Sequence, residues 1–194
     1  MKGKKVCVYC AASRQLHPDY FRAARSLGRI LAENHATIFY GGGAVGSMGH
    51  LADAALGAGG RVVGVIPRFM YELEWGHKKL SEMRIAKDMH ERKRLMLENA
   101  DAIVALPGGC GTLDELFEAI SWKRLGLFFS PIVLVNTRGF FDDCIRLLER
   151  CVQEHFMDPR HRFMWTLVDQ PEDVLRGIES ATPWDTQARD YAIP

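Results

Sequence analysis

The sequence predicts an α/β protein: a single Rossmann-like, doubly wound parallel sheet with helices on both faces. Three observations carry this expectation. Short runs rich in Val and Ile alternate with longer helical patterns along the chain. The runs are continuously apolar, as strands covered on both faces are. Glycine-rich turns stand just after two of the runs and just before helical patterns, where open parallel sheets bind ligands.

In chain order the strand candidates are "KVCVYC" (5–10), "TIFYG" (37–41), "RVVGVIP" (61–67), "MRIAKDM" (83–89), "AIVALP" (102–107) and "PIVLVN" (131–136), with a weaker "WTLVD" (165–169). Helical patterns fall near 19–34, 48–59, 90–99, 112–127, 140–156 and 171–179. Strand–helix alternation of this kind implies right-handed crossovers and a parallel sheet. The chain carries no repeat, low-complexity tract or linker, and its 194 residues fit one domain spanning 1–194.

Composition narrows the function. A net charge of +1 supplies no broad basic field, so neither nucleic acid nor an anionic membrane is an expected partner. No apolar run approaches the about 20 residues of a membrane span. The N-terminal apolar run is short and reads as a first strand. Five scattered cysteines suit a reducing compartment, which predicts a cytoplasmic protein. Cys7 and Cys10 lie three apart on one strand and point to opposite faces, so they form no metal or redox pair. His90 lacks a ligand at useful spacing, and no metal or other cofactor is expected.

Three stretches carry candidate chemistry. After the second strand, "GGGAVGSMG" (41–49) contains Gly41-x-Gly43-x-x-Gly46. The acidic residue that a dinucleotide fold needs at the end of the next strand is missing, and no Gly-x-x-x-x-Gly-Lys-Ser/Thr loop occurs. What is left is a backbone turn suited to an anion, or a tight turn that packs helix on sheet. After the fifth strand, "PGGCGTLDE" (107–115) places Gly108, Gly109 and Gly111 before a helix whose first free N–H groups favour a phosphate. The glycines are expected to provide positive φ and close approach. Leu113, Leu116, Phe117 and Ile120 form the expected buried stripe, which leaves Glu115 off it near the mouth of the turn. Thr112-x-x-Glu115 is equally a capping box. Third, "KDMHERKRLML" (87–97) crowds His90, Arg92, Lys93 and Arg94 into the start of a helix that Asp88 would cap. Such cations oppose the helix dipole, which a nearby anion or Glu115 would explain; a solvated basic face is the alternative.

Together these stretches resemble the Lonely Guy family, the cytokinin riboside 5′-monophosphate phosphoribohydrolases. Its pattern Pro-Gly-Gly-x-Gly-Thr-x-x-Glu stands as Pro107 to Glu115, and Met-His-x-Arg-Lys as Met89 to Lys93. "YGGGAVGSMG" and "GVIP" match two further signatures, and the likeness is strongest over residues 5–156. The chain departs from the family in its first loop, where Cys10-Ala11-Ala12-Ser13 replaces Gly-Ser-Ser, and at Ser47 and Cys110, where Leu and Tyr are usual. The resemblance implies a nucleotide-binding homodimer that hydrolyses the N-glycosidic bond of an adenosine 5′-monophosphate, plain or N6-modified, without a cofactor. It implies catalytic roles for Arg92 and Glu115. It implies substrate contacts at Ser13, Gly42, Gly43, Glu74, Met89, Lys93, Gly108, Gly109, Gly111 and Thr112. Pyridoxal-dependent lysine decarboxylation, a label attached to the family, finds no evident Schiff-base lysine here. A non-enzymatic nucleotide or molybdenum-cofactor carrier shares the fold but needs no Arg92–Glu115 pair. The apolar excess of "SWKRLGLFF" (121–129) fits a partner surface.

Overall fold

The computed structural model describes residues 1–73, 75–98, 100–184 and 186–192. Seven strands, all parallel, form one sheet: β1 (Lys5–Tyr9), β2 (Thr37–Tyr40), β3 (Arg61–Pro67), β4 (Glu82–Ala86), β5 (Ala102–Ala105), β6 (Ile132–Val135) and β7 (Thr166–Val168). The helices are α1 (Pro18–Glu33), α2 (Gly46–Gly57), α3 (Arg68–Glu72), α4 (Met89–Leu97), α5 (Cys110–Arg124), α6 (Asp142–Gln153) and α7 (Val174–Glu179). Every expected strand and helix is present within a few residues. The five-residue α3 was not expected, because its pattern is too short to show a helical period.

Spatial order is β4-β3-β2-β1-β5-β6-β7. The chain winds outward from β1 to β4, then crosses back to place β5 on the other side of β1. β1 and β5 pair in register from Val6–Ala102 to Tyr9–Ala105. Their following loops diverge, and the crevice between them is where open α/β sheets bind ligands.

The strand pleat divides the core in two. Cys7, Tyr9, Val63, Val65, Ile103 and Ile132 face α4, α5 and α6. Val6, Val8, Cys10, Ile38, Val104 and Val133 face α1 and α2. Cys7 and Cys10 thus lie on opposite faces, both buried and both free. On α1, Ala24, Leu27, Leu31 and Ala32 form the buried stripe at helical spacing. Gly28 lets that helix press directly against the backbone carbonyl of Leu51 on α2. Among the described residues, no helix is long and apolar enough to cross a membrane.

Candidate active site

At the crevice lies a cavity of about 700 Å³. Its wall is built from the loop after β1, the glycine turn after β2, the end of β3 with α3, the first turns of α4, and the start of α5. Two helix N-termini meet it. The N-cap of α5 is Gly109 and that of α2 is Val45, and neither makes a side-chain capping bond. Backbone N–H groups at the start of α5 are therefore available to an anion, whereas at the start of α2 the Met48 N–H already donates to the Ala11 carbonyl at 3.0 Å.

The capping-box alternative for Glu115 fails on this geometry. Thr112 lies inside α5 rather than at its cap. Glu115 turns instead to Arg92, whose Nη1–H donates to Oε1 at 2.5 Å. Both side chains are buried, 7% and 5% exposed. The buried side of α5 consists of Thr112, Glu115, Leu116, Ala119, Ile120 and Lys123. Leu113 and Phe117 are only partly buried, so Glu115 stands in the stripe and not beside it. Polar residues on that face hid its true phase from hydrophobic periodicity.

Arg92 is held on three sides. Its Nε donates to the Val65 carbonyl at 3.1 Å, its Nη1 to Glu115, and its Nη2 lies where a side chain on Gly41 would stand. Gly41 is thus the gap through which the guanidinium reaches the cavity. At the start of α4, Asp88 accepts from the Glu91 N–H at 2.8 Å, the expected cap. Burial pushes the Glu115 carboxyl above its ordinary pKa of 4.5, and the Arg92 charge pulls partly back. Cys10 also lines the cavity, but burial and then the Glu115 charge push its thiol far up, so it is no thiolate nucleophile.

The turns differ from expectation in their backbone. Positive φ occurs at Gly42 (77°) and Gly46 (64°), not at Gly108, Gly109 or Gly111. Gly108 is required by crowding, because a Cβ there would collide with the Thr112 side chain. Gly109 and Gly111 face open space on the cavity wall. Gly42 has Ile66 and Met83 against it, each 3.3 Å from where a Cβ would be. The Gly42 carbonyl accepts from the His77 N–H at 2.9 Å, and the Tyr40 hydroxyl donates to the Gly43 carbonyl at 3.0 Å. The His77 bond, with one from the Ala44 N–H to the Trp75 carbonyl at 3.2 Å, fastens the turn to the segment carrying Trp75.

Ser13, Gly43, Met89, Arg92, Gly109, Gly111, Thr112 and Glu115 are brought together on the cavity wall, with Gly42 and Gly108 shaping the turns behind it. Lys93 is drawn off the wall to Asp114 at 3.1 Å and Glu118 at 3.2 Å. Glu74 lies outside the described residues. Sequence reasoning missed Arg14, Met48, Ile66, Met70 and Trp75, which also line the cavity. The apolar ones come from α2, β3, α3 and the segment after it, and residues so scattered carry no local pattern that marks them.

Residues 48–178 match a protein-family model described as "Possible lysine decarboxylase". The cytokinin riboside 5′-monophosphate phosphoribohydrolase LOG7 of Arabidopsis thaliana is 37% identical, over 98% of this chain and 93% of that protein. The probable cytokinin riboside 5′-monophosphate phosphoribohydrolase LOGL6 of Oryza sativa subsp. japonica is 36% identical, over 93% of this chain and 72% of that one. Among solved structures, a structural-genomics target superposes with a TM-score of 0.72 at 26% identity, covering 91% of this chain and 98% of its own. The molybdenum cofactor carrier protein of Chlamydomonas reinhardtii superposes with a TM-score of 0.71, over 93% of this chain and 98% of its own, at 16% identity, a likeness of fold alone. The family-model match and the identity over nearly the whole chain agree with the motifs gathered round the cavity: this chain belongs to the cytokinin riboside 5′-monophosphate phosphoribohydrolase family.

Proposed function

We propose that this protein hydrolyses the N-glycosidic bond of an adenosine 5′-monophosphate, releasing free base and ribose 5-phosphate. The observation that carries the reading is the buried Arg92–Glu115 pair on the wall of a cavity met by the start of α5, which has no side-chain cap. The phosphate takes the N–H groups at the start of α5, which sets the ribose over Glu115. As the C1′–N bond breaks, its electron pair leaves with the base and positive charge grows on the sugar. The ionised Glu115 stabilises that charge and takes a proton from the attacking water, as carboxylates do in glycosidases. Arg92 stabilises the negative charge of the departing base, which finally takes up a proton. Arginine stays protonated, so its role is electrostatic.

The decisive measurement is kcat/KM for adenosine 5′-monophosphate against adenosine. Lost phosphate contacts, each about 1.5–3 kcal/mol, should separate the two by at least about 10³-fold. Equal values would remove the phosphate site and the reading with it.

The base preference follows from the apolar part of the wall. Met48, Ile66, Met70 and Trp75 offer apolar surface and no hydrogen-bonding edge beyond the indole N–H. An N6-alkyl substituent gains about 0.8 kcal/mol per buried methylene there, so an N6-isopentenyl nucleotide should exceed plain adenosine 5′-monophosphate by at least about 10-fold in kcat/KM. We further propose a homodimer. Phe69, Tyr71, Leu73 and Trp75 stand about half exposed beside the cavity mouth, as do Leu125 and Leu127 beyond α5. Light scattering that returns a single-chain mass would end this part of the reading.

The family model's description suggests lysine decarboxylation, but the site does not favour it. No lysine lies among the described residues of the cavity wall. Lys123 is buried elsewhere, donating to the Ser130 carbonyl at 2.8 Å.

A further inference from the structure

We propose that Arg14 is the side chain that neutralises the substrate phosphate. This inference rests on the phosphoribohydrolase reading and adds a residue to it. The cavity wall carries two cations among its described residues, Arg14 and Arg92. Arg92 is already neutralised by Glu115 and tied to the Val65 carbonyl. Lys93, next to it on α4, is compensated by Asp114 and Glu118. A phosphate dianion entering a site whose only charges were the Arg92–Glu115 pair would meet helix dipoles and no net positive charge.

Arg14 supplies that charge. It sits in the loop after β1, exposed, and takes part in no ion pair or side-chain hydrogen bond among the described residues. The loop is fixed where it matters. The Met48 N–H donates to the Ala11 carbonyl at 3.0 Å, and Gly46 lies so close to Ala12 and Ser13 that a Cβ would strike their backbone. Arg14 is thereby held on the wall of the same cavity that the start of α5 borders. Ser13 is a weaker candidate, because its Oγ accepts from the Gln15 N–H at 3.2 Å. An arginine fork making charge-assisted bonds to two phosphate oxygens matches the dianion in charge and shape.

The test is Arg14→Gln in the full chain, with product inhibition as the readout. Inhibition by ribose 5-phosphate should weaken about 10- to 100-fold, and KM for adenosine 5′-monophosphate should rise by a similar factor. Inhibition by adenine, which carries no phosphate, should stay within about 2-fold. Arg14→Lys should recover part of the loss. Unchanged ribose 5-phosphate inhibition in Arg14→Gln overturns the assignment, and so does an equal loss for adenine, which would mark a distorted pocket. Direct calorimetric binding of ribose 5-phosphate separates this claim from the hydrolysis reading. A parent that binds it in an Arg14-dependent way yet releases no base keeps the contact and loses the reaction.

Discussion

Glu115 and Arg92 are 23 positions apart in sequence and share one buried contact. Exchanging Glu115 for Gln keeps the shape and a hydrogen-bond acceptor for Arg92 but removes the charge that the sugar cation needs. Turnover should fall by about 10²-fold or more, about 3 kcal/mol of transition-state stabilisation, with the melting temperature changing far less. Near-parental turnover in a steady-state assay would leave Glu115 as a structural partner only. Arg92→Ala should behave differently, because it strands a buried carboxylate; a destabilisation of about 3–5 kcal/mol in urea unfolding is expected along with the rate loss. The pH dependence follows from the raised Glu115 carboxyl. The proposed mechanism needs it ionised, so the acid limb of kcat/KM should lie above 4.5, the ordinary glutamate value. The same shift has a stability sign. The native state holds this proton more tightly than the unfolded chain, so the contribution of Glu115 is fullest below the unfolded pKa. It declines as pH rises through the folded one. Glu115→Gln should erase that decline.

The turn into α5 separates glycines that its sequence makes look alike. Gly108 is packed against Thr112, whereas Gly109 and Gly111 border open cavity. Gly108→Ala should therefore lower stability by about 1–3 kcal/mol, the usual cost of overpacking, and shift the turn. Gly111→Ala should leave the melting temperature near parental and raise KM for the nucleotide, because its methyl would project into the proposed phosphate site. Parallel thermal melts and Michaelis curves test the pair, and a stability loss in Gly111→Ala with KM unchanged would sink the phosphate turn. The turn was legible in sequence as a strand–glycine–helix junction. Which glycine answers to φ, to crowding or to the ligand was not, because that depends on side chains folded against it. Gly41 is the plainest case: its neighbour Arg92 arrives from α4, with β3 and β4 between them in the chain.

The segment after α7 closes over the far end of α5. The Trp184 indole donates to the Lys123 carbonyl at 2.7 Å, and Arg124 donates through Nε at 3.0 Å and Nη2 at 2.5 Å to the Ala192 carbonyl. The helix that presents Glu115 at one end is thus clamped at the other. Trp184→Ala should cost about 3–5 kcal/mol in urea unfolding while leaving KM near parental, since Trp184 is not on the cavity wall. Under that cover Lys123 is almost fully buried, and burial alone lowers its ammonium from 10.5 to about 8. The unfolded chain binds this proton more tightly. Stability should rise as pH increases from about 8 to about 10.5, and Lys123→Met should flatten that rise in pH-dependent denaturation.

By itself the sequence determined the order of strands and helices and the two glycine junctions. It also determined the identity of the paired catalytic candidates, because apolar runs, glycine placement and long motifs are local properties of the chain. Tertiary structure decided what those residues meet. It turned Glu115 from a possible helix cap into the buried partner of Arg92, and drew Lys93 away to Asp114 and Glu118. It also brought Arg14 and Trp75 to the same cavity from loops after different strands. Such meetings are set by the order in which strands pair in the sheet. Strand order is fixed by burial and crossover geometry across the entire chain, and no window of sequence contains it.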